Sequence, residues 1–287
     1  MPRILLLSCI VVGIWGSTWV VMRSAIAHHH LSPEGMALGR HLVASLVFLV
    51  ALAWRRPPPL APGEFHRLAW AGAIGIGFYN LLTGWGQRSV DAGTAAVIIQ
   101  TAPVTTALGA WWLLGQRVGI GTWIGLVAAC LGITLIGLGG SPGAGGTLPD
   151  LLCLVAASLA FSGYNLWTTG VAARIGGWWT TAWAVWIGTI VLLPWSGSVV
   201  HELQERPLIA LGVWTYLGVL ATAGAYAAWT VLAASLPLAR AALVLYLVPV
   251  LALGLGWALL GEAPGMLGLA GVACILGGVV IARRTAA

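Results

Sequence analysis

Polar side chains in this sequence are few, and their spacing shows where chemistry could occur. Between 148 and 170, Ser158, Ser162, Asn165 and Thr169 recur at intervals of four, three and four residues, one face of a helix, with Tyr164 and Trp167 beside them. Asn80, Thr83 and Gln87 share a face next to Tyr79, and Thr222, Tyr226, Trp229 and Thr230 do the same further on. Gln100 stands three residues before Pro103, and Tyr246 three before Pro249. Trp15, Thr18 and Trp19 lie deep in the first apolar run. Amides and hydroxyls of this kind bind amino and carboxyl groups, and aromatic faces stack on an apolar or aromatic side chain. The inventory suits recognition of a small molecule.

Covalent chemistry is poorly served. Cys9, Cys130, Cys153 and Cys274 fall inside apolar runs with no Cys or His at ligand spacing, so the sequence predicts neither a disulfide framework nor a metal site, and it implies no cofactor. An intramembrane enzyme would need a nucleophile or metal near a deep His or carboxylate; His41, beside Arg40, is the one deep His and has no acidic partner in reach by sequence. His28, His29 and His30 read as a solvated loop. Glu34, Glu64, Asp91, Asp150, Glu202, Glu205 and Glu262 all sit at or near the ends of apolar runs. The buried carboxylate that commonly couples flux to protons or sodium is therefore not expected.

The elements that must position these groups are membrane helices. Of 287 residues, 60% are hydrophobic and 7% charged, and the mean hydropathy is +0.97, against about 25% charged in soluble domains. Apolar stretches set against Gly, Pro and charge predict helices near 4–26, 33–54, 66–87, 91–115, 119–139, 148–170, 177–196, 207–234, 238–261 and 265–283. The first apolar run continues to Met22, past the length of a signal-peptide core, and reads as a retained helix. The net charge of +6 comes from arginines at helix ends, not from one basic tract, which excludes a nucleic-acid footprint. With the N-terminus inside, Arg3, Arg55, Arg56, Arg67, Arg117, Arg174, Arg240, Arg283 and Arg284 fall on the cytoplasmic side, against Arg23, Arg88 and Arg206 outside, which predicts cytoplasmic N- and C-termini.

An internal match carries the sequence further. At an offset of 146 residues, Ala95 and Ala96 meet Ala241 and Ala242, Pro103 meets Pro249, Trp111 meets Trp257, and Leu113, Leu114 and Gly115 meet Leu259, Leu260 and Gly261. Gly119, Gly125 and Gly132 then fall on Gly265, Gly271 and Gly278. Five helices per copy is an odd number, so the second copy enters the bilayer from the opposite side. An inverted repeat of this kind is a transporter architecture with its site at the repeat interface. The paired prolines suit a hinge or gate, since each removes a backbone donor in mid-helix.

Trp15-Gly16-Ser17-Thr18, Arg40 with Ala44, and the run from Ala95 through Pro103 to Arg117 with its echo from Ala241 through Pro249 to Glu262 resemble the EamA-type members of the drug/metabolite transporter superfamily. The resemblance covers nearly the whole chain. It implies an all-α polytopic membrane protein of ten transmembrane helices, with one five-helix repeat over 1–139 and an inverted one over 147–287. The cavity it implies is lined by helices 1, 3, 4, 6, 8 and 9, in a multi-pass protein of the bacterial inner membrane. Helix 2 lies outside that cavity, so Arg40 is expected to act structurally, by snorkelling or by pairing with helix-end carbonyls. One departure is Gln116, where the family pattern has Glu; Glu262 keeps it in the second copy.

The density of Trp and Tyr looks most like the aromatic amino-acid exporters. The expected function is export of a small zwitterionic or neutral solute, led by aromatic or apolar amino acids, by alternating access in a monomer. Trp15, Thr18, Trp19, Tyr79, Asn80, Gln100, Tyr164, Asn165, Trp167, Tyr226 and Tyr246 are the expected lining, with Pro103 and Pro249 as hinges. Efflux of lipophilic drugs by the same fold is the alternative, and a scaffold role is a more distant one. For single Ser and Thr residues, hydrogen bonding between helices is the competing role.

Overall fold

A computed structural model describes residues 2–27, 29–90, 92–116, 118–138, 147–260 and 265–284. His28, Asp91, Arg117, Gly261 and Glu262 lie outside the described residues, as do the side chains of Ala242 and Trp257.

The described residues form ten helical passes: α1 (Pro2–Ala27), α2 (Pro33–Leu52), α3 (64–86), α4 (92–114), α5 (Ile120–Leu138), α6 (Leu148–Ile175), α7 (Gly177–Glu205), α8 (Pro207–Ser235), α9 (238–260) and α10 (Met266–Arg284). Among the described residues, α1, α2, α6, α7 and α8 are each long and apolar enough to cross a membrane as single helices. The chain is all-α and polytopic, with two inverted five-helix repeats.

Among the described residues, four passes carry irregularities that come in pairs. α3 widens into a π-helical stretch at Ala73–Phe78, and α8 does so at Tyr216–Gly224. α4 breaks between Ala92–Ile99 and Ala102–Leu114; α9 breaks between Leu238–Leu245 and Leu247–Leu260. The breaks fall just before Pro103 and Pro249, where the missing N–H and the ring clash forbid a continuous helix. The 146-residue register thus places the same two distortions in both copies. In a membrane such backbone is tolerated where protein or a cavity surrounds it.

The expected spans and the observed passes agree to within two residues at each end, apart from α6, which runs past 170 to Ile175, and α7. There the apolar helix ends at Leu192, a 3-10 turn at Leu193–Trp195 carries Pro194, and a polar helix follows at Ser196–Glu205. Polar contacts tie the helix ends on both faces of the bundle. On one face Arg88 pairs with Glu34, and Ser89 with Asp150. Glu202 there accepts from the Ser32 N–H at 2.8 Å and hydroxyl at 2.6 Å. On the other face Arg174 pairs with Glu64, and Gln116 accepts from the Leu238 N–H at 3.0 Å. That last bond joins the end of α4 to the start of α9, so the Gln that departs from the family pattern links the two copies. The hydrogen bond from the Arg174 guanidinium holds the Glu64 carboxyl below its ordinary range, against the opposing effect of burial.

α5 and α10 pack side by side at the edge of the bundle. A Cβ on Gly132 would stand 2.5 Å from the Gly271 carbonyl oxygen, closer than any side chain permits. The glycine is there for backbone contact.

Candidate functional site

The first motif distributes its four residues among four tasks. Trp15 donates through Nε1 to the carbonyl of Ala221, in the π-helical stretch of α8, at 3.0 Å. Gly16 lets α1 approach α9, since a Cβ there would meet the Leu251 side chain at 2.9 Å. The Ser17 hydroxyl pairs with that of Tyr216 at 2.6 Å, and Thr18 donates to the Ile14 carbonyl at 2.8 Å. Ring contacts then extend from Trp15 to Tyr226, Phe161 and Trp229, with centroids 5.1, 5.8 and 6.0 Å apart.

This aromatic cluster borders a cavity among α1, α2, α3, α4, α6, α8 and α9. The room it leaves for the centres of water-sized molecules is about 60 Å3; one water needs about 10–15 Å3 by that measure, so a small solute fits. Trp15, Trp19, Tyr79, Phe161 and Tyr226 form aromatic walls, and Thr18, Asn80, Thr83, Gln100 and Arg40 supply polar groups. The 146-residue register pairs lining residues with one another: Trp15 with Phe161, Asn80 with Tyr226, Ile99 with Leu245, and Ala102 with Val248. The cavity therefore lies on the interface of the two copies, where inverted-repeat transporters bind their solutes.

Arg40 breaks that symmetry, and its position corrects the expectation that helix 2 stands outside. It is 4% exposed and lines the cavity, with Nε donating to the Thr222 hydroxyl at 3.0 Å. Among the described residues the ion pairs are Arg88 with Glu34 and Arg174 with Glu64, both at helix ends, so no carboxylate neutralises Arg40. Neighbouring His41 is fully buried; its Nδ1 lies 2.6 Å from the Ala37 carbonyl, and its Nε2 lies 3.5 Å from the Asn80 amide nitrogen. Asn80 also donates to the Ile76 carbonyl at 2.8 Å.

Of the residues expected to line the cavity, Trp15, Thr18, Trp19, Tyr79, Asn80, Gln100 and Tyr226 come together there. Tyr164, Asn165, Trp167 and Tyr246 do not. Tyr164 packs behind Phe161 and Tyr226, and its hydroxyl pairs with that of Thr230 at 2.8 Å. Asn165 is 2% exposed, accepts from Trp229 Nε1 at 2.7 Å and donates to Thr106 at 3.4 Å. Trp167 faces Trp70, with centroids 6.4 Å apart, and Tyr246 packs with Leu126 and Ile275 beneath α5 and α10. The polar stripe of α6 meets α4 instead: Ser158 pairs with Thr101 at 2.7 Å and Ser162 with Thr105 at 2.5 Å. Matched four-residue spacing on both helices makes a hydroxyl ladder, the interhelical role that a Ser or Thr stripe can also serve.

Comparison with known proteins accords with this architecture. The model of the EamA-like transporter family matches residues 2–138 and again 148–284, once per copy. The chain belongs to the EamA-like transporter family. Among similar proteins, the "Probable terminal-alkyne amino-acid exporter" of Streptantibioticus cattleyicolor is 32% identical over 273 residues, covering 94% of this chain and 90% of the relative. The uncharacterized transporter YdfC of Bacillus subtilis is 27% identical, over 96% of this chain and 90% of its own length. A solved crystal structure superposes with a TM-score of 0.73 at 16% identity, over 98% of this chain and 97% of that one, which shows the shared fold.

Lining residues of this EamA-like transporter outside the expected set include Phe161 and Arg40, along with Met22, Thr83, Ile99, Ala102, Leu245 and Val248. Phe161 was detectable, because the 146-residue offset carries Trp15 onto it. Arg40 was set aside on where the family resemblance places helix 2, although a basic residue in mid-span was itself the signal.

Proposed function

We propose that this transporter exports aromatic or apolar amino acids across the bacterial inner membrane, holding the substrate carboxylate on Arg40 and its side chain between the aromatic walls. One observation carries the reading: a buried guanidinium borders the cavity with no carboxylate within pairing distance among the described residues. An arginine at the centre of a membrane helix costs about 2.5–3.5 kcal/mol on insertion scales, and a bidentate carboxylate recovers much of that. Asn80, Gln100 and Thr18 provide further neutral partners. The small volume favours compact or flat side chains, in keeping with a relative named for a terminal-alkyne amino acid.

In this reading the two units, 1–139 and 147–287, rock about the cavity as a monomer, with both termini cytoplasmic. Pro103 and Pro249 absorb the change in angle. No carboxylate lines the cavity among the described residues, and exchange or facilitated diffusion of a zwitterion requires none. Tyr164 and Asn165 act from behind the walls, Tyr164 by packing against Phe161 and Tyr226 and Asn165 by fixing Trp229.

The aromatic walls favour a second reading, efflux of lipophilic compounds. A competition panel in proteoliposomes separates the two: zwitterionic amino acids inhibit flux and hydrophobic cations do not. Inhibition by the cations alone sinks the amino-acid reading.

A further inference from the structure

Arg40 would answer one end of a zwitterion, and the remaining question is what meets the other. No acidic side chain lines the cavity among the described residues. The backbone supplies an alternative. Pro103 and Pro249 have no N–H, so the carbonyls four residues earlier, those of Ile99 and Leu245, lose the helical donors they would otherwise have. Outside the regular helices, no backbone or side-chain hydrogen bond described ends on either carbonyl. Both residues line the cavity, and the 146-residue register makes them equivalents in the two copies. The helix breaks at these points, so neither carbonyl is enclosed in a continuing turn.

We propose that the freed carbonyls of Ile99 and Leu245 form an ammonium subsite, which binds the amino group of the substrate whose carboxylate rests on Arg40. This proposal builds on the amino-acid reading above. Two backbone oxygens, one from each copy, suit a primary ammonium, which has three donors and no acceptor. Tyr79 and Trp19 also line the cavity, and aromatic rings attract a cation held near their faces. Because one oxygen comes from each repeat, the subsite is complete only while the two broken helices are held together. Rocking the repeats apart would divide it and release the amine, so binding and gating share the same two prolines.

The test compares L-phenylalanine with 3-phenylpropionate, which keeps the carboxylate and lacks the amine, as ligands of the purified full-length protein. Wild type should bind phenylalanine about tenfold more tightly, the scale of a charge-assisted hydrogen bond. Pro103→Ala with Pro249→Ala supplies competing N–H donors, and should bring the two affinities together by weakening phenylalanine alone. The single substitutions, each milder for folding, should give part of that loss. A wild type that binds both ligands equally or neither, or proline variants that weaken both ligands alike or change neither, overturns the subsite. So does a preference for phenylalanine that disappears when sodium is replaced by choline, since the oxygens would then hold an alkali ion. Arg40→Gln distinguishes this proposal from the reading beneath it: it should weaken both ligands together. If it alters neither while the proline variants still erase the preference, the Arg40 reading fails and the ammonium subsite stands.

Discussion

Replacing Arg40 with methionine separates a functional charge from a structural one. Methionine keeps a long flexible stem and removes the guanidinium. The removal relieves about 2.5–3.5 kcal/mol of burial cost for a charge at mid-helix. Against this, the bond from Nε to the Thr222 hydroxyl at 3.0 Å is lost, worth about 1.5–3 kcal/mol for a charged donor. Because the end of the side chain borders a cavity, the shortening leaves no new void in packed protein. The balance is a gain of roughly 1 kcal/mol, or about 2 °C in unfolding temperature for a chain of this size. Amino-acid flux should be abolished at the same time. Thermal unfolding followed by intrinsic tryptophan fluorescence in detergent, paired with flux in proteoliposomes, reads both quantities. If Arg40 were one half of a buried structural pair, its loss would cost about 3–5 kcal/mol. A fall of more than about 5 °C, with flux declining only in proportion to folded protein, refutes the argument.

Further outcomes follow from the same geometry. Asn165→Leu leaves Trp229 Nε1 without its acceptor at 2.7 Å; an unsatisfied buried donor costs about 1–3 kcal/mol, so unfolding temperature should drop by a few degrees and substrate affinity should weaken as Trp229, packed against the wall residues Trp15 and Phe161, loosens. Unchanged affinity would remove Asn165 from any positioning role. The Arg174 guanidinium holds the Glu64 carboxyl below its ordinary range, so the stability this pair gives is present above the unfolded carboxylate's range and is lost as pH falls through the lowered folded value. Glu64→Gln should flatten that acid limb in pH-dependent thermal unfolding, and an unaltered limb would show that the pair contributes nothing measurable.

The sequence made the architecture legible because membrane insertion leaves few solutions: apolar length sets the passes, and the offset between Pro103 and Pro249 sets the two copies. The positions of those prolines also foretold where α4 and α9 break. The site was less legible. A stripe such as Ser158, Ser162 and Asn165 reports that a face is shielded from lipid, but a neighbouring helix shields it as well as a cavity does. In this protein the shield is α4, with Thr101, Thr105 and Thr106 as partners. Tyr246 shows the same ambiguity. It lies between the lining residues Leu245 and Val248, yet at the break in α9 it packs against Leu126 and Ile275. The π-helical stretches in α3 and α8 have no composition signal beyond small residues, and they end just before the lining residues Tyr79, Asn80 and Tyr226.

The central claim is that a substrate carboxylate pairs with Arg40 inside an aromatic-walled cavity. Counterflow of a labelled amino acid in proteoliposomes tests it directly, with wild type and Arg40→Gln compared at matched amounts of folded protein. The account predicts robust counterflow for wild type, inhibited by other apolar amino acids and not by amines that lack the carboxylate, and none for the variant. Wild-type rates in Arg40→Gln, or equal inhibition by the amines, would contradict it.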